Sequence, residues 1–500
     1  MLKKSVSLIF SVMIIVLSQL QAFAAEVAVD FSKDIKSAGL KVNSVKYEIK
    51  GDMYQFLIDC ESDAARGYSL FNPPNGDKLK KVIFNDGIKA GSSVVKIEAE
   101  KNAVDSVTGN IVMKFWKNNE DGDDYISFLL KPATVQPIKS DTKILTALPV
   151  FDPAKKADWQ IDLRNRDLSK LDLDGRTSDL LRADFDSLTK WPEKLPDGFS
   201  PEKIMQLGKD PGLLVRELHK NKITGRAISI AIIDQKLDTS HIEFADRLKV
   251  YEEIHCLDEQ PQMHGSAVSS IAAGRTLGVA PEASLYYIAE THGTYSNGAF
   301  DWDFTFVARS IERILEINRS LAAPDKIRVI SISLGFTPDK KGYKEVMAAI
   351  ENAKKENIFV VSSSLEEVYG YKFDGLGREP LSDPNDFNSF LPGCWWEKDF
   401  YENPNYHQKP ALLVPMDARC TASETGPQNY VFYRSGGWSW SIPYIAGLYA
   451  LACQVSPSMT PEKFWQAALQ TGDKITITKD GKKYPLGLIA NPVKIIEALK

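Results

Sequence analysis

Residues 26 to about 145 alternate apolar and polar side chains. "KVNSVKYEIK", "MYQFLIDC", "SSVVKIEAE", "GNIVMKFW" and "DYISFLL" each send every second side chain to one face, the mark of half-buried strands. "NPPNGD" and "NNEDGDD" between them carry turn chemistry. A small β-rich domain over 25–145 is predicted, either a permanent accessory domain or a propeptide. From 146 to 222 the composition shifts to Asp, Leu, Pro and Lys, with short Leu-Asp echoes that are too few for a repeat fold. This stretch reads as a connector. After residue 226 the pattern changes again. "AISIAIID", "IRVISISLG" and "NIFVVSSS" are continuous apolar runs, which suit parallel strands covered on both faces. Between them lie "HGSAVSSIAAG", "FTFVARSIERILEINRSL" and "YKEVMAAIENAKKE", apolar at helical spacing. The alternation predicts an α/β domain over 223–500, a parallel sheet with helices on both faces. In such sheets the chemistry gathers beyond the strand C-termini.

The first residues have a different character. "MLKKSVSLIFSVMIIVLSQLQAFAAE" opens with Lys3 and Lys4, continues apolar, and closes on Ala22-Phe23-Ala24. That is the layout of a secretory signal peptide over 1–24. The apolar run is broken by Ser18 and Gln19 and is short for a membrane span, so stable membrane insertion is not expected and a secreted chain is. With 500 residues, 43% hydrophobic and 25% charged, the chain is an ordinary folded protein of more than one domain. A net charge of −5 without a basic run gives no case for nucleic acid. Five scattered cysteines form no CxxC pair and support neither a disulfide scaffold nor a catalytic thiol.

Three segments carry candidate chemistry. Asp234 closes the strand "AISIAIID", where a carboxylate can be held nearly buried and aimed at a neighbour. His264, in "MHGSAVSSIAAG", stands at a helix start before small residues, a place where an acid can hold it in one tautomer. In "GGWSWSIPYIAGLYALACQV", Pro443 is tolerated only in a first turn, so a helix should begin near Trp440 or Ser441. Ser439 then stands just before or at that N-terminus, where free N–H groups stabilise a developing oxyanion. Taken singly, each residue also fits a structural role: a turn Asp, a satisfied His, a capping Ser.

Together, in the order Asp, His, Ser, the segments resemble the subtilase family of serine peptidases over roughly residues 211–500. "PGLLVRELHKNKITGRAISIAIIDQKLDTSHIEF", "HGSAVSSIAAG" with the following "GVAPEASLYYIA", "VISISLG", "GGWSWSIPYIAGLYALA" and the tail from "MTPEKFWQAALQTG" carry the resemblance. It implies a subtilisin-like fold and peptide-bond hydrolysis of polypeptides, with Asp234 orienting His264, His264 as general base and then acid, and Ser439 as nucleophile. Ser441 falls on the second, non-nucleophilic serine of the pattern. Trp438 and Trp440 replace small or flexible neighbours of the family motif, a change that fits either a wall that excludes water from the site or plain packing. Ser333, Leu334 and Gly335 fall on the strand that pairs with an extended substrate. "THGTY" at His292 mimics the family's His-Gly-Thr signature, but it follows the Gly-Val-Ala-Pro segment and has no small-residue helix behind it.

The pattern departs from the family in places. The asparagine that the family supplies to the oxyanion hole is absent, and counting along "IFVVSSSLEEVYG" puts Glu366 at its place with Ser364 close by. Gln235 and Lys236 replace a small hydroxyl and Gly; no cofactor is expected, and although the family often carries structural calcium, no ligand set for it is identified in this sequence. The segment 366–430 is long enough to cover the substrate groove. The missing asparagine raises a second reading, a pseudoprotease that keeps the fold as a binding or regulatory module. An α/β-hydrolase esterase is excluded, because "GWSWS" lacks the final Gly of that elbow and the chain order is reversed. Oligomeric state is not legible. N-terminal sequencing of exported protein is expected to begin at Ala25 in the Ser439→Ala form; a chain that still begins at Met1 overturns the signal-peptide reading.

Overall fold

The computed structural model describes residues 142–500 apart from 156–158, 259, 297–298 and 404–409. Before these it describes 27–29, 31–34, 39–50, 53–64, 66–72, 77–78, 82–84, 88, 90–100, 111–116 and 124–128. The signal-peptide segment 1–24 lies outside the described residues.

The chain forms two units, Met1–Lys131 and Pro132–Lys500. The first holds two five-stranded sheets, antiparallel throughout. Its long strands Leu40–Lys50, Met53–Ser62 and Gly91–Glu100 lie side by side, with Tyr47, Phe56 and Ile97 in register. In the middle strand Phe56, Ile58 and Cys60 are buried while alternate positions are more open, as the alternating sequence requires.

The second unit begins earlier than the composition change suggests. The boundary falls after Lys131, and the stretch 146–222 is no bare connector. Leu148, Ile161, Leu163, Leu168, Leu173, Leu180, Phe185, Phe199 and Ile204 form a buried cluster with Ala418 and Phe432. The Leu-Asp echoes have a physical meaning here. Asp162, Asp167, Asp172 and Asp186 each accept the N–H two residues on, at 3.1, 3.0, 3.0 and 3.1 Å, closing a series of Asx turns while the leucines between them face inward. Strand Phe185–Asp186 then pairs antiparallel with Tyr430–Tyr433.

The centre of this unit is the predicted parallel sheet. Its elements in chain order are β1 (Ser229–Asp234), β2 (Leu248–His255), α1 (Met263–Ala273), β3 (Ser284–Glu290), α2 (Thr305–Ser320), β4 (Ile327–Ile332), α3 (Tyr343–Lys355), β5 (Phe359–Ser362) and α4 (Trp438–Val455). The strand order is β2-β3-β1-β4-β5, all parallel. Every residue of β1 is buried, because α1 packs on α4 and α2 on α3, and the two helix pairs cover the sheet from either side. α4 is buried along most of its length, so its apolar character reflects burial rather than a membrane. Among the described residues no helix is long and apolar enough to cross one.

The segment 366–430 is built into the core. Phe373–Arg378 and Leu412–Pro415 run parallel in a second five-stranded sheet. Ile232, at the centre of β1, is 1% exposed. Replacing it with Ala is expected to cost about 2–5 kcal/mol of stability, read as a lower denaturant midpoint at unchanged slope.

Candidate active site

Asp234 is the last residue of β1 and fully buried. A buried carboxylate needs partners, and this one has two kinds. The Gln235 N–H donates to Oδ1 at 2.8 Å, and His264 Nδ1 lies 2.7 Å from Oδ1 and 2.9 Å from Oδ2. His264 is in the first turn of α1, held there because the Gln262 N–H donates to the Lys236 carbonyl at 2.8 Å. The next residue must be small. A Cβ on Gly265 would run into the Tyr287 hydroxyl and the Gln235 carbonyl, so only glycine lets α1 approach the loop after β1 this closely. Lys236 turns aside to pair with Glu253 at 2.9 Å.

α4 begins at Trp438, two residues earlier than Pro443 suggests, and Ser439 lies inside the first turn. Proline at the sixth helical position donates nothing to the carbonyl four residues back, which is that of Ser439. The Ser333 hydroxyl donates to this carbonyl at 3.0 Å, replacing the missing bond and tying the loop after β4 to the helix. The approach to Ser439 is fixed by Asp417. Its buried carboxylate accepts the Gly436 N–H at 2.8 Å and the Cys394 N–H at 2.9 Å.

His264 and Ser439 line one cavity of about 450 Å³. Trp440 packs against the His264 ring at 5.6 Å and also lines this space, whereas Trp438 lies outside it. Among the described residues no hydrogen bond joins the Ser439 hydroxyl to the imidazole. Such bonds are often loose before substrate binds.

The other candidates fall elsewhere. Ser364 accepts the Phe336 N–H at 2.8 Å and is buried; Glu366 stands in the first turn of the helix Leu365–Tyr369. Neither lines the cavity. The helix Leu365–Tyr369 starts at once after Ser364. Leu334 is partly spent, since its carbonyl accepts the Ser363 N–H at 3.0 Å. A Cβ added to Gly335 would meet the Ser363 and Ser364 side chains at 3.5 and 3.8 Å, ordinary van der Waals contact. His292 is engaged with Glu290 through a short hydrogen bond and lies outside the cavity.

The sequence reading missed Trp159, Asp162, Arg164 and Asp184, which also line the cavity together with Trp395 and Tyr433. They stand in, or pack against, the stretch taken for a connector, and no local motif marks them. Cys256, Cys420 and Cys453 have their thiols pushed up to about 12 by burial, which removes them as nucleophiles at neutral pH. Among the described residues no disulfide joins any of the five cysteines, and no group of His, Cys, Asp and Glu is arranged to hold a metal.

Residues 225–392 match the model of the Subtilase family. The chain is 27% identical over 269 residues to the major intracellular serine protease of Bacillus subtilis, covering 50% of this chain and 77% of that one. It is 23% identical over 290 residues to subtilisin-like protease 2 of Arthroderma otae, covering 56% of this chain and 62% of that protein. A solved structure, the prenylagaramide maturation protease PagA, matches with a TM-score of 0.39 at 19% identity, over 57% of this chain and 98% of that one.

His292 offers a test of the electrostatics behind β3. Burial alone would lower its pKa, but the Glu290 carboxylate outweighs this and the net shift is upward. A raised folded pKa adds stability that is full below the unfolded value near 6.5 and is lost as pH rises through the folded one. The loss of urea midpoint in His292→Gln is therefore expected to be larger at about pH 6 than at about pH 9. Equal losses at both would refute the pairing.

Proposed function

The chain is a divergent member of the subtilase family, and from that premise we propose that it is a secreted serine endopeptidase hydrolysing polypeptides through an acyl-enzyme. The observation that supports this most directly is the Asp234 carboxylate on His264 Nδ1, with the same ring and Ser439 lining one cavity. Secretion is supported by the N-terminal sequence pattern.

With its Nδ1 proton held by Asp234, His264 presents Nε2 as the base. Nε2 takes the Ser439 proton as Oγ attacks the scissile carbonyl carbon. The C–N bond then breaks, the leaving nitrogen takes that proton from the ring, and an acyl ester remains on Ser439. Water, deprotonated by the same Nε2, attacks the ester, and Oγ leaves with the proton returned. Negative charge on the carbonyl oxygen is met by the Ser439 N–H in the first turn of α4. The substrate backbone pairs along Ser333 and Gly335. No side-chain oxyanion donor is assigned, and the absence of one costs about 10²–10³ in rate, so turnover is slow.

A second reading, a pseudoprotease, is favoured by one observation: the Ser364 hydroxyl is occupied by Phe336. A fluorophosphonate probe separates the two. It is expected to label Ser439 in the wild type and not in Ser439→Ala, with labelling in Asp234→Asn slowed about 10⁴-fold. A folded wild type that does not react sinks the peptidase reading and leaves the binding module.

A further inference from the structure

Much of the lining of the cavity around His264 and Ser439 comes from residues outside the matched family region. Trp159 and Trp395 stand 52% and 46% exposed, their rings 5.5 Å apart, and Trp438 continues the row at 40% exposure, 6.5 Å from Trp395. Trp395 is fixed in place, its indole N–H donating to the Gly436 carbonyl at 3.2 Å. Indole faces left in water forgo available burial, so three in a row mark a contact surface.

Three charged side chains line the same cavity as Trp159 and Trp395. Arg164 is already matched: it forks onto Asp162 with two bonds of 2.9 Å and donates to the Tyr433 hydroxyl at 3.2 Å. Asp184 is not matched in this way. It is 4% exposed, lines the cavity, and accepts the Arg434 N–H at 2.7 Å. Asp162, Arg164, Tyr433 and the Arg434 side chain surround it. Burial outweighs the nearby arginines and pushes its carboxyl up to about 7, so it is poised to ionise when a cation arrives.

We propose that this recess is a subsite for a cationic side chain, lysine or arginine, on the leaving-group side of a polypeptide substrate. Indole walls take an aliphatic stem and attract the cation at its end, and the carboxyl floor supplies the counter-charge. An apolar side chain would add no counter-charge to Asp184, whose nearby arginines do not offset its burial, and an acidic one would place a second carboxylate beside it. The side is set by the neighbours. Ser435, Gly436 and Gly437 line the recess, whereas Ser333, Leu334 and Gly335 do not. The placement on the leaving-group side rests on the peptidase reading; the preference for a cation does not.

The test uses the full-length Ser439→Ala chain and hexapeptides identical except for lysine, arginine, norleucine or glutamate at one central position, with binding followed by calorimetry. Lysine and arginine peptides are expected to bind about tenfold tighter than norleucine, which corresponds to about 1.4 kcal/mol. That ratio should widen as pH rises through about 7, where Asp184 becomes charged before the ligand arrives. Asp184→Asn should bring the ratio to about one. Trp395→Ala, at an exposed position, should weaken the lysine peptide more than norleucine and serves if Asp184→Asn does not fold. Equal affinities, or a ratio that neither variant moves, overturns the subsite. Cation preference in Ser439→Ala beside a wild type that cleaves nothing keeps the subsite and rejects the peptidase reading. A wild type that cleaves the whole set without preference does the reverse.

Discussion

A carboxylate that is fully out of water is stable only if its lone pairs are satisfied, and this constraint on Asp234 organises the centre of the molecule. The strand that carries it is covered on both faces, so the side chain can look only past the strand end. There the Gln235 N–H and the His264 ring meet it. Bringing the ring within 2.7 Å demands that α1 lie against the loop after β1, which is why Gly265 follows His264 and why Gln262 is anchored to Lys236. The geometry of the site is thus a consequence of burying one charge, and the small-residue face of α1 is its packing counterpart.

A second constraint acts on α4. Proline inside a helix leaves a carbonyl orphaned, and here that carbonyl belongs to Ser439. The Ser333 hydroxyl takes it, so the loop that follows β4 and the residue at the start of α4 are held as one piece. Asp417 does similar work from the other direction, joining the Gly436 backbone to that of Cys394. Ser439 is therefore fixed from both sides by hydrogen bonds to distant segments. Such bracing suits a group whose position must hold to within a fraction of an ångström.

The stretch 146–222 changes how the whole chain is understood. Its leucines build a core with Ala418 and Phe432, and its strand Phe185–Asp186 lies on Tyr430–Tyr433, whose chain runs on to α4. What reads as a tether is a wall of the cavity. The shape and charge of the space around His264 and Ser439 therefore depend on residues that precede the family-like region.

Much of the fold is legible locally. Continuous apolar runs announced β1, β4 and β5, because strands covered on both faces have no polar side to show; alternation announced the first unit, because its strands have one. Asp234, His264 and Ser439 could each be picked out from a strand end, a small-residue helix and a proline-marked helix start. Other features needed the folded chain. The start of α4 was misjudged because Ser333, distant in sequence, relieves the proline. Glu366 and Ser364 come from counting along the chain, which does not show that a helix begins directly after Ser364 or that neither residue lines the cavity. Trp159, Asp162, Arg164 and Asp184 carry no local signal, since their position beside the site comes from distant partners, Trp395 for Trp159 and Tyr433 for Arg164 and Asp184. Periodicity and helix signals report what a residue's near neighbours in sequence require; which distant surfaces meet is decided only when apolar faces are buried against one another.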